Sequence, residues 1–228
     1  MSAPAADPPR PSGATLGEAA ALPAVAIVDY GVGNVASVRR AFERLGAPVA
    51  LVSDPERIAA SDRVVLPGVG AFAPARRRLA ETGLDEAVLS AAGQGARLLG
   101  LCVGYQLFFE ESAEFGRTEG LGLLRGRVAP FPAGVRVPHV GRSRLVPPEG
   151  RSPRLLASQP GEPWVYFVHS FRPEGADEAD VAAWCDYGGR FPAASERGNV
   201  WGCQFHPEKS SAAGRAILAA FLSGGGAA

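Results

Sequence analysis

Lysine is all but missing from this sequence: Lys209 is the only one, and every other basic side chain is arginine. Alongside abundant alanine, glycine and proline, that bias reads as codon usage rather than chemistry. Histidine is scarce as well, at three residues, with no Cys-x-x-Cys or His-x-x-x-His spacing to accompany it, which argues against a metal centre. Three cysteines form an odd set without the spacing of a disulfide framework, and Cys185 and Cys203 fall in strand-like runs as structural thiols. Neither charge is in excess, with 23 basic and 23 acidic side chains, so no basic field points to nucleic acid or an anionic membrane. Long apolar runs are absent too. The first, over 25–28, is short and followed by Asp29, which suits a buried parallel strand and not a membrane span.

What is present fits one cytoplasmic catalytic domain. The 228 residues suffice for a full α/β core, and 46% hydrophobic content is ordinary for a globular chain. Residues 1–23, rich in Ala and Pro, lack both a positive n-region and an apolar stretch, so the expectation is a disordered leader and not a signal peptide. The domain is expected over 24–222, with a flexible tail over 223–228. Strands are expected at 25–28, 49–52, 63–66 and 97–101, with helices over 34–45, 75–79 and 84–93 and another after Cys102. That alternation implies a mainly parallel central sheet flanked by helices. Beyond Gly120, Gly- and Pro-punctuated strands at 126–129, 165–169, 181–187 and 193–196 suggest an antiparallel extension. A strand over 200–205 and a helix over 212–222 complete an α/β fold without internal repeats.

The chemistry gathers at three places. Cys102 lies in Gly100-Leu101-Cys102-Val103-Gly104, where an apolar strand meets a helix. A tight strand-to-helix turn needs small neighbours and projects its central side chain, as in nucleophile elbows. A helix N-terminus there would lower the thiol pKa and offer N–H groups, Val103's among them, to an oxyanion. A buried, inert cysteine is the commoner fate of a free thiol, and two glycines alone do not overturn it. Far downstream, Gln204-Phe205-His206-Pro207-Glu208 places a histidine and a carboxylate two residues apart. With Pro207 barring helix, both are expected in extended chain on one face, Glu208 accepting from one imidazole nitrogen while the other faces a thiol. The third place is Pro67-Gly68-Val69-Gly70, where flanking glycines let the peptide units around Val69 rotate and present or withdraw an N–H. In an open α/β sheet all three fall beyond the carboxyl ends of the strands.

These residues carry a resemblance. Asp29-Tyr30-Gly31-Val32-Gly33-Asn34, Pro67-Gly68-Val69-Gly70-Ala71-Phe72, Gly100-Leu101-Cys102-Val103-Gly104-Tyr105-Gln106, Pro138-His139-Val140-Gly141, Tyr166-Phe167-Val168-His169-Ser170-Phe171 and Gln204-Phe205-His206-Pro207-Glu208-Lys209-Ser210 resemble the class I, triad-type glutamine amidotransferases. The elbow and His-Pro-Glu belong to the whole class. The Pro-Gly-Val-Gly-x-Phe loop and the Tyr-Phe-Val-His-Ser stretch narrow the resemblance to the glutaminase subunit of imidazole glycerol phosphate synthase. It covers 24–222 and implies a flavodoxin-like fold, a Cys102-His206-Glu208 triad, and oxyanion donors around Val69, Gly70 and Val103. Gly68, Gln106, Glu114, Ser170 and Phe171 would contact glutamine, with Ser170 and Phe171 offering backbone N–H groups to its α-carboxylate. Asn34, Arg142, Tyr166 and Lys209 would face a (β/α)₈-barrel cyclase in a heterodimer, Arg142-Ser143 standing where the family usually shows Trp-Asn. His139 reads as a structural loop residue and His169 as a core histidine. The resemblance implies no cofactor and no metal. An amidotransferase serving another synthase, a γ-glutamyl hydrolase and a catalytically silent subunit stay open as alternatives.

Overall fold

Four short apolar runs become the parallel centre of a seven-stranded sheet: β1 (Val25–Val28), β2 (Val49–Val52), β3 (Arg63–Leu66) and β4 (Arg97–Leu101). The computed structural model describes residues 24–159 and 161–225, so the expected leader and the last three residues of the expected tail lie outside them. Small strands follow: β5 (Glu111–Ser112), β6 (Thr118–Glu119), β7 (Arg127–Pro130), β8 (His139–Arg144), β9 (Trp164–His169) and β10 (Phe171–Glu174). The chain then returns through β11 (Val181–Asp186), β12 (Arg190–Arg197) and β13 (Val200–Cys203). The large sheet runs β11-β12-β13-β4-β3-β1-β2, with β13 parallel to β4 and β11 and β12 antiparallel at the edge. Beyond it lie a mixed four-stranded sheet, β10-β7-β5-β6, in which β5 and β7 run parallel where an antiparallel extension is expected, and an antiparallel two-stranded ribbon, β8-β9.

The period of two along a strand decides which helix each side chain meets. Val25 and Ile27 point to the face covered by Phe42 of α1 (Val35–Glu43), whereas Ala26 and Val28 point to the opposite face. There α2 (Pro55–Ala59), α3 (Phe72–Glu81) and α4 (Leu84–Gly93) bring Ile58, Leu79 and Val88. The four-residue α5 (Val103–Gln106) heads the elbow, and α6 (Ser211–Ser223) closes the first face with Ile217 and Phe221. Each such fully buried side chain contributes about 1.5–3 kcal/mol relative to exposure.

Several elements differ from expectation. The sequence reading passes over α2, although Asp54 accepts from Glu56 N–H at 3.0 Å as N-cap and Pro55 opens the helix, both ordinary start signals. The helix expected over 34–45 ends at Glu43, that over 75–79 extends to Phe72–Glu81, and that over 212–222 runs on to Ser223. The helix after Cys102 stops after one turn because the carbonyls of Leu107, Phe108 and Phe109 accept instead from Leu121, Leu124 and Gly122. His139, expected in a loop, opens strand β8 and is buried.

Candidate active site

The carboxyl ends of β3, β4 and β13 lie side by side, and the three expected loops leave from them. Cys102 follows β4 with φ 54° and ψ −111°, a conformation L-residues rarely adopt and one that costs on the order of 1–3 kcal/mol. Packing enforces it. A Cβ on Gly104 would collide with the Leu66 carbonyl, and one on Gly100 would sit 2.7 Å from Tyr105 Cα. The Cys102 N–H donates to Cys203 O of β13 at 2.9 Å, tying the elbow to the strand that delivers the histidine. A one-turn helix adds little macrodipole, so nearby N–H groups, not helix length, supply positive potential at the sulfur.

His206 is extended, at φ −104° and ψ 94°, and its N–H donates to Tyr166 O at 2.9 Å. Glu208 departs from the expected extended chain. Pro207–Lys209 forms a 3₁₀ turn with proline at its first position, where a missing N–H is harmless, and the turn curls Glu208 back beneath the imidazole. Nδ1 and Glu208 Oε1 are 2.8 Å apart, with both side chains almost wholly buried. The carboxylate accepts, so Nδ1 carries the proton and Nε2 is left beside Cys102 with no other partner. Burial would lower the imidazole's pKa, but the neighbouring Cys102 sulfur and the bonded Glu208 carboxylate outweigh it and raise His206 to about 9. The other two thiols are pushed up by burial, Cys185 to about 12 and Cys203 well above its ordinary range.

A cavity of about 360 Å³ opens above the sulfur, lined by Cys102, Val103, Gln106, Glu114, His206 and Lys209, together with Val69 and Gly70 on one wall and Ser170 and Phe171 on another. Gln106 spends its amide donors on Phe171 O, at 3.0 Å, and Gln204 Oε1, at 2.9 Å, and so offers the cavity only its oxygen. Glu114 holds the N–H of Phe72 with Oε2 at 2.7 Å. The Phe171 carbonyl is an acceptor, taken by Gln106 and His169. Gly68 is pressed against Val103 and Gly104 with no room for a Cβ, while Gly70 sits at φ 86° with nothing near its Cβ position. The loop is therefore closely packed on its Gly68 side and open on its Gly70 side.

The expected partner-facing residues fall in two groups. Asn34 stands at the start of α1 beside a small cleft that reaches Gly68, Val69, His206 and Glu208. On the other side, Arg142 of β8 pairs in register with Tyr166 of β9, and Lys209 Nζ lies 5.7 Å from the Tyr166 ring centre. Arg142 also donates to Ser211 Oγ at 2.9 Å. Val140, Trp164 and Val168 are exposed on the same outward face of this ribbon. Sequence reasoning missed Gln204, whose Nε2 lies 3.8 Å from the Cys102 sulfur; its place two residues before His206 was the available signal.

With an elbow thiol, a buried His-Glu pair and an adjoining cavity, the site has the parts of a cysteine-dependent amide hydrolase. The chain belongs to the class-I glutamine amidotransferase family, whose model matches residues 26–223. It is 47% identical over 195 residues to the imidazole glycerol phosphate synthase subunit HisH of Symbiobacterium thermophilum, covering 86% of this chain and 91% of that protein. Against HisH of Bacillus subtilis the identity is 42%, covering 86% and 94%. Among solved structures, a glutamine amidotransferase crystal structure superposes with TM-score 0.70 at 21% identity, over 89% of this chain and 99% of that one. PurLQS from Thermotoga maritima superposes with TM-score 0.69, also at 21% identity, over 89% and 98%; these two show the fold. Among the described residues no helix is long and apolar enough to cross a membrane.

Proposed function

We propose that this chain is the glutaminase subunit of an imidazole glycerol phosphate synthase, hydrolysing L-glutamine to glutamate and ammonia for histidine biosynthesis in the cytoplasm. The observation that carries the reading is the His206–Glu208 contact of 2.8 Å, with the free Nε2 turned to Cys102 at the floor of the cavity. Gln106 and Glu114 both present acceptors there and suit the α-ammonium group of glutamine, while Ser170 and Phe171 line the wall where its carboxylate would lie.

In the proposed reaction the Cys102 thiolate attacks the side-chain carboxamide, and the oxyanion takes N–H groups from Val103 and the Val69-Gly70 peptide. Imidazolium His206 gives its Nε2 proton to the departing ammonia, forming a glutamyl thioester. The neutral ring then takes a proton from water as the water attacks the thioester, and the collapsing intermediate expels thiolate and glutamate. Glu208 holds the tautomer and stabilises the protonated ring throughout. Ammonia loses its nucleophilicity on reaching bulk water and being protonated, so a partner must cover the exit. The outward face of the β8-β9 ribbon, with Val140, Arg142, Tyr166 and Val168 beside Lys209, is the surface we assign to a (β/α)₈-barrel cyclase in a heterodimer.

The test is glutamine hydrolysis by the purified chain, alone and with a cognate cyclase carrying its ligand. The expected result is a weak free subunit and strong stimulation. Full activity alone, or no stimulation by any ligand-bound cyclase, would leave a stand-alone hydrolase as the better account.

A further inference from the structure

Gln204 is fully buried between β13 and the elbow, and its amide has an oxygen end and a nitrogen end that fill nearly the same space. Which end meets the Cys102 sulfur decides whether it steadies or repels a thiolate. The surrounding hydrogen bonds settle the choice. The Phe171 carbonyl can only accept, so both groups against it donate: His169 Nδ1 at 2.8 Å and Gln106 Nε2 at 3.0 Å. The remaining proton of Gln106 Nε2 goes to Gln204 Oε1 at 2.9 Å. The oxygen of Gln204 is thereby taken, and its Nε2 is the atom left 3.8 Å from Cys102 Sγ.

The donor direction of His169 is itself held from further out. With Nδ1 protonated, neutral His169 has a bare Nε2, which accepts from His139 Nδ1 at 3.0 Å; His139 Nε2 in turn accepts from the Ser143 hydroxyl at 2.8 Å. Both rings stay neutral, since burial lowers His139 to about 4 and His169 to about 3. Every hydrogen bond in the chain from Ser143 to the Phe171 carbonyl runs in one direction, and the carbonyl stays an acceptor at neutral pH.

We propose that Gln204 is a catalytic residue of this site: its amide N–H donates to the Cys102 thiolate, and Gln106, anchored on the Phe171 carbonyl, fixes the amide in the donating orientation. The assignment rests on Cys102 being the nucleophile. Gln106 then has two duties, since the side chain that meets substrate with its oxygen also sets, through its nitrogen, the group that steadies the sulfur. A hydrogen bond to an anion is about twice as strong as one between neutral groups, whereas an amide oxygen turned to the same sulfur would be repelled.

Alkylation of Cys102 by iodoacetamide across pH, followed by peptide mapping, reads the thiolate without requiring turnover. The sulfur is also faced by His206 and Glu208 from the turn after β13, by Cys203, by Tyr30 from the loop after β1, and by Glu114 and Lys209 across the cavity; all stay in place in the variants. Gln204→Met keeps the volume and removes the donor. It is expected to move the half-maximal pH of alkylation up by about one unit, making labelling about tenfold slower on the acid side. Gln204→Glu, wherever its carboxylate is ionised, sets a second negative charge beside the sulfur and moves that pH further. Overlaying profiles for folded Gln204→Met and the parent overturn the proposal. If the parent's Cys102 labels no faster than Cys185 and Cys203, the nucleophile assignment itself falls.

A second measurement needs no substitution at Gln204. The Gln204 side-chain amide signals in NMR are expected to follow the Cys102 titration and to lose that dependence in Cys102→Ala. Signals indifferent to Cys102 would count against the donor assignment as firmly as overlaying alkylation profiles.

Discussion

The elbow and the loop beside it are both short, glycine-flanked turns at the ends of neighbouring strands, yet one is locked and the other half open. Around Cys102 the Gly100 and Gly104 backbones are pressed against Tyr105 and Leu66, the Cys102 N–H is bound to Cys203, and each residue from Cys102 to Gln106 is buried. The Pro67–Gly70 loop is clamped only at its first half, where the Tyr30 hydroxyl donates to the Pro67 carbonyl at 2.8 Å and Gly68 meets Val103 and Gly104. Val69 is 39% exposed, and a Cβ at Gly70 would meet nothing within 4 Å. The geometry of the proposed nucleophile is thus built into the core, while the proposed second oxyanion donor lies in a segment that is exposed at Val69. An enzyme whose product is wasted without a partner gains from that division.

The largest effect should come from the locked side. His206→Ala removes both base and acid and is expected to lower partner-stimulated glutaminase activity by at least about 10³-fold with little change in thermal unfolding. Near-normal turnover in a folded variant would dismiss the triad. Glu208→Gln keeps the shape but weakens the hold on the imidazolium, and a smaller loss, about 10²-fold, is expected from steady-state kinetics.

The pH dependence follows from the same pair. His206, raised to about 9 in the fold against an ordinary 6.5, adds stability that is fully present below pH 6.5 and is lost as pH rises through about 9. Hydrolysis should fall over that alkaline limb, as the ring gives up the proton that the leaving ammonia needs. Since Cys102 is one cause of the raised value, Cys102→Ala should bring the His206 titration down when followed by NMR. An unmoved titration would show that Glu208 alone sets it.

The open side should respond to a backbone change. Gly70→Ala places a side chain at φ 86°, where an L-residue costs about 1–2 kcal/mol, in space that accommodates it. Stability should fall by about that amount, and the cyclase-stimulated rate should shift about tenfold as the loop's conformations are repopulated. If the stimulated rate stays at the parent's value, Val69-Gly70 is not the moving donor.

How much of this was readable from the residues alone depends on whether the controlling contacts are local. The strand over 97–101 and the helix over 84–93 appear at their expected bounds, because an unbroken apolar block and a regular helical repeat decide them within a few residues. Cys102, His206 and Glu208 could be singled out from glycine spacing and one His-Pro-Glu step. The shape that joins them could not: Pro207 opens a 3₁₀ turn where extended chain was expected. The brevity of α5 rests on carbonyls captured by the 121–124 segment, and the role argued for Gln204 on an amide orientation passed along from Ser143. The bonds that join these segments link residues more than a dozen positions apart, and no local pattern announces them.

The smallest expected effect tests where the open side meets its partner. Arg142 projects from β8 next to Tyr166, and its guanidinium is steadied from one side by the Ser211 hydroxyl at 2.9 Å. A held, planar, always-charged group on an exposed face suits a carboxylate or an aromatic ring on the incoming surface. Ser211 is neutral, so removing the guanidinium leaves no buried charge behind, and the fold should tolerate Arg142→Ala. A contact of this kind at an interface rim contributes on the order of 1 kcal/mol, so affinity for the cyclase should fall about three- to tenfold. At saturating cyclase the stimulated glutaminase rate should be that of the parent, because neither the elbow nor the triad touches Arg142. Titration calorimetry and saturation kinetics separate the two quantities. Unchanged affinity would move the docking surface off the β8-β9 ribbon, and a lowered saturating rate would mean that Arg142 acts on the loop rather than on binding.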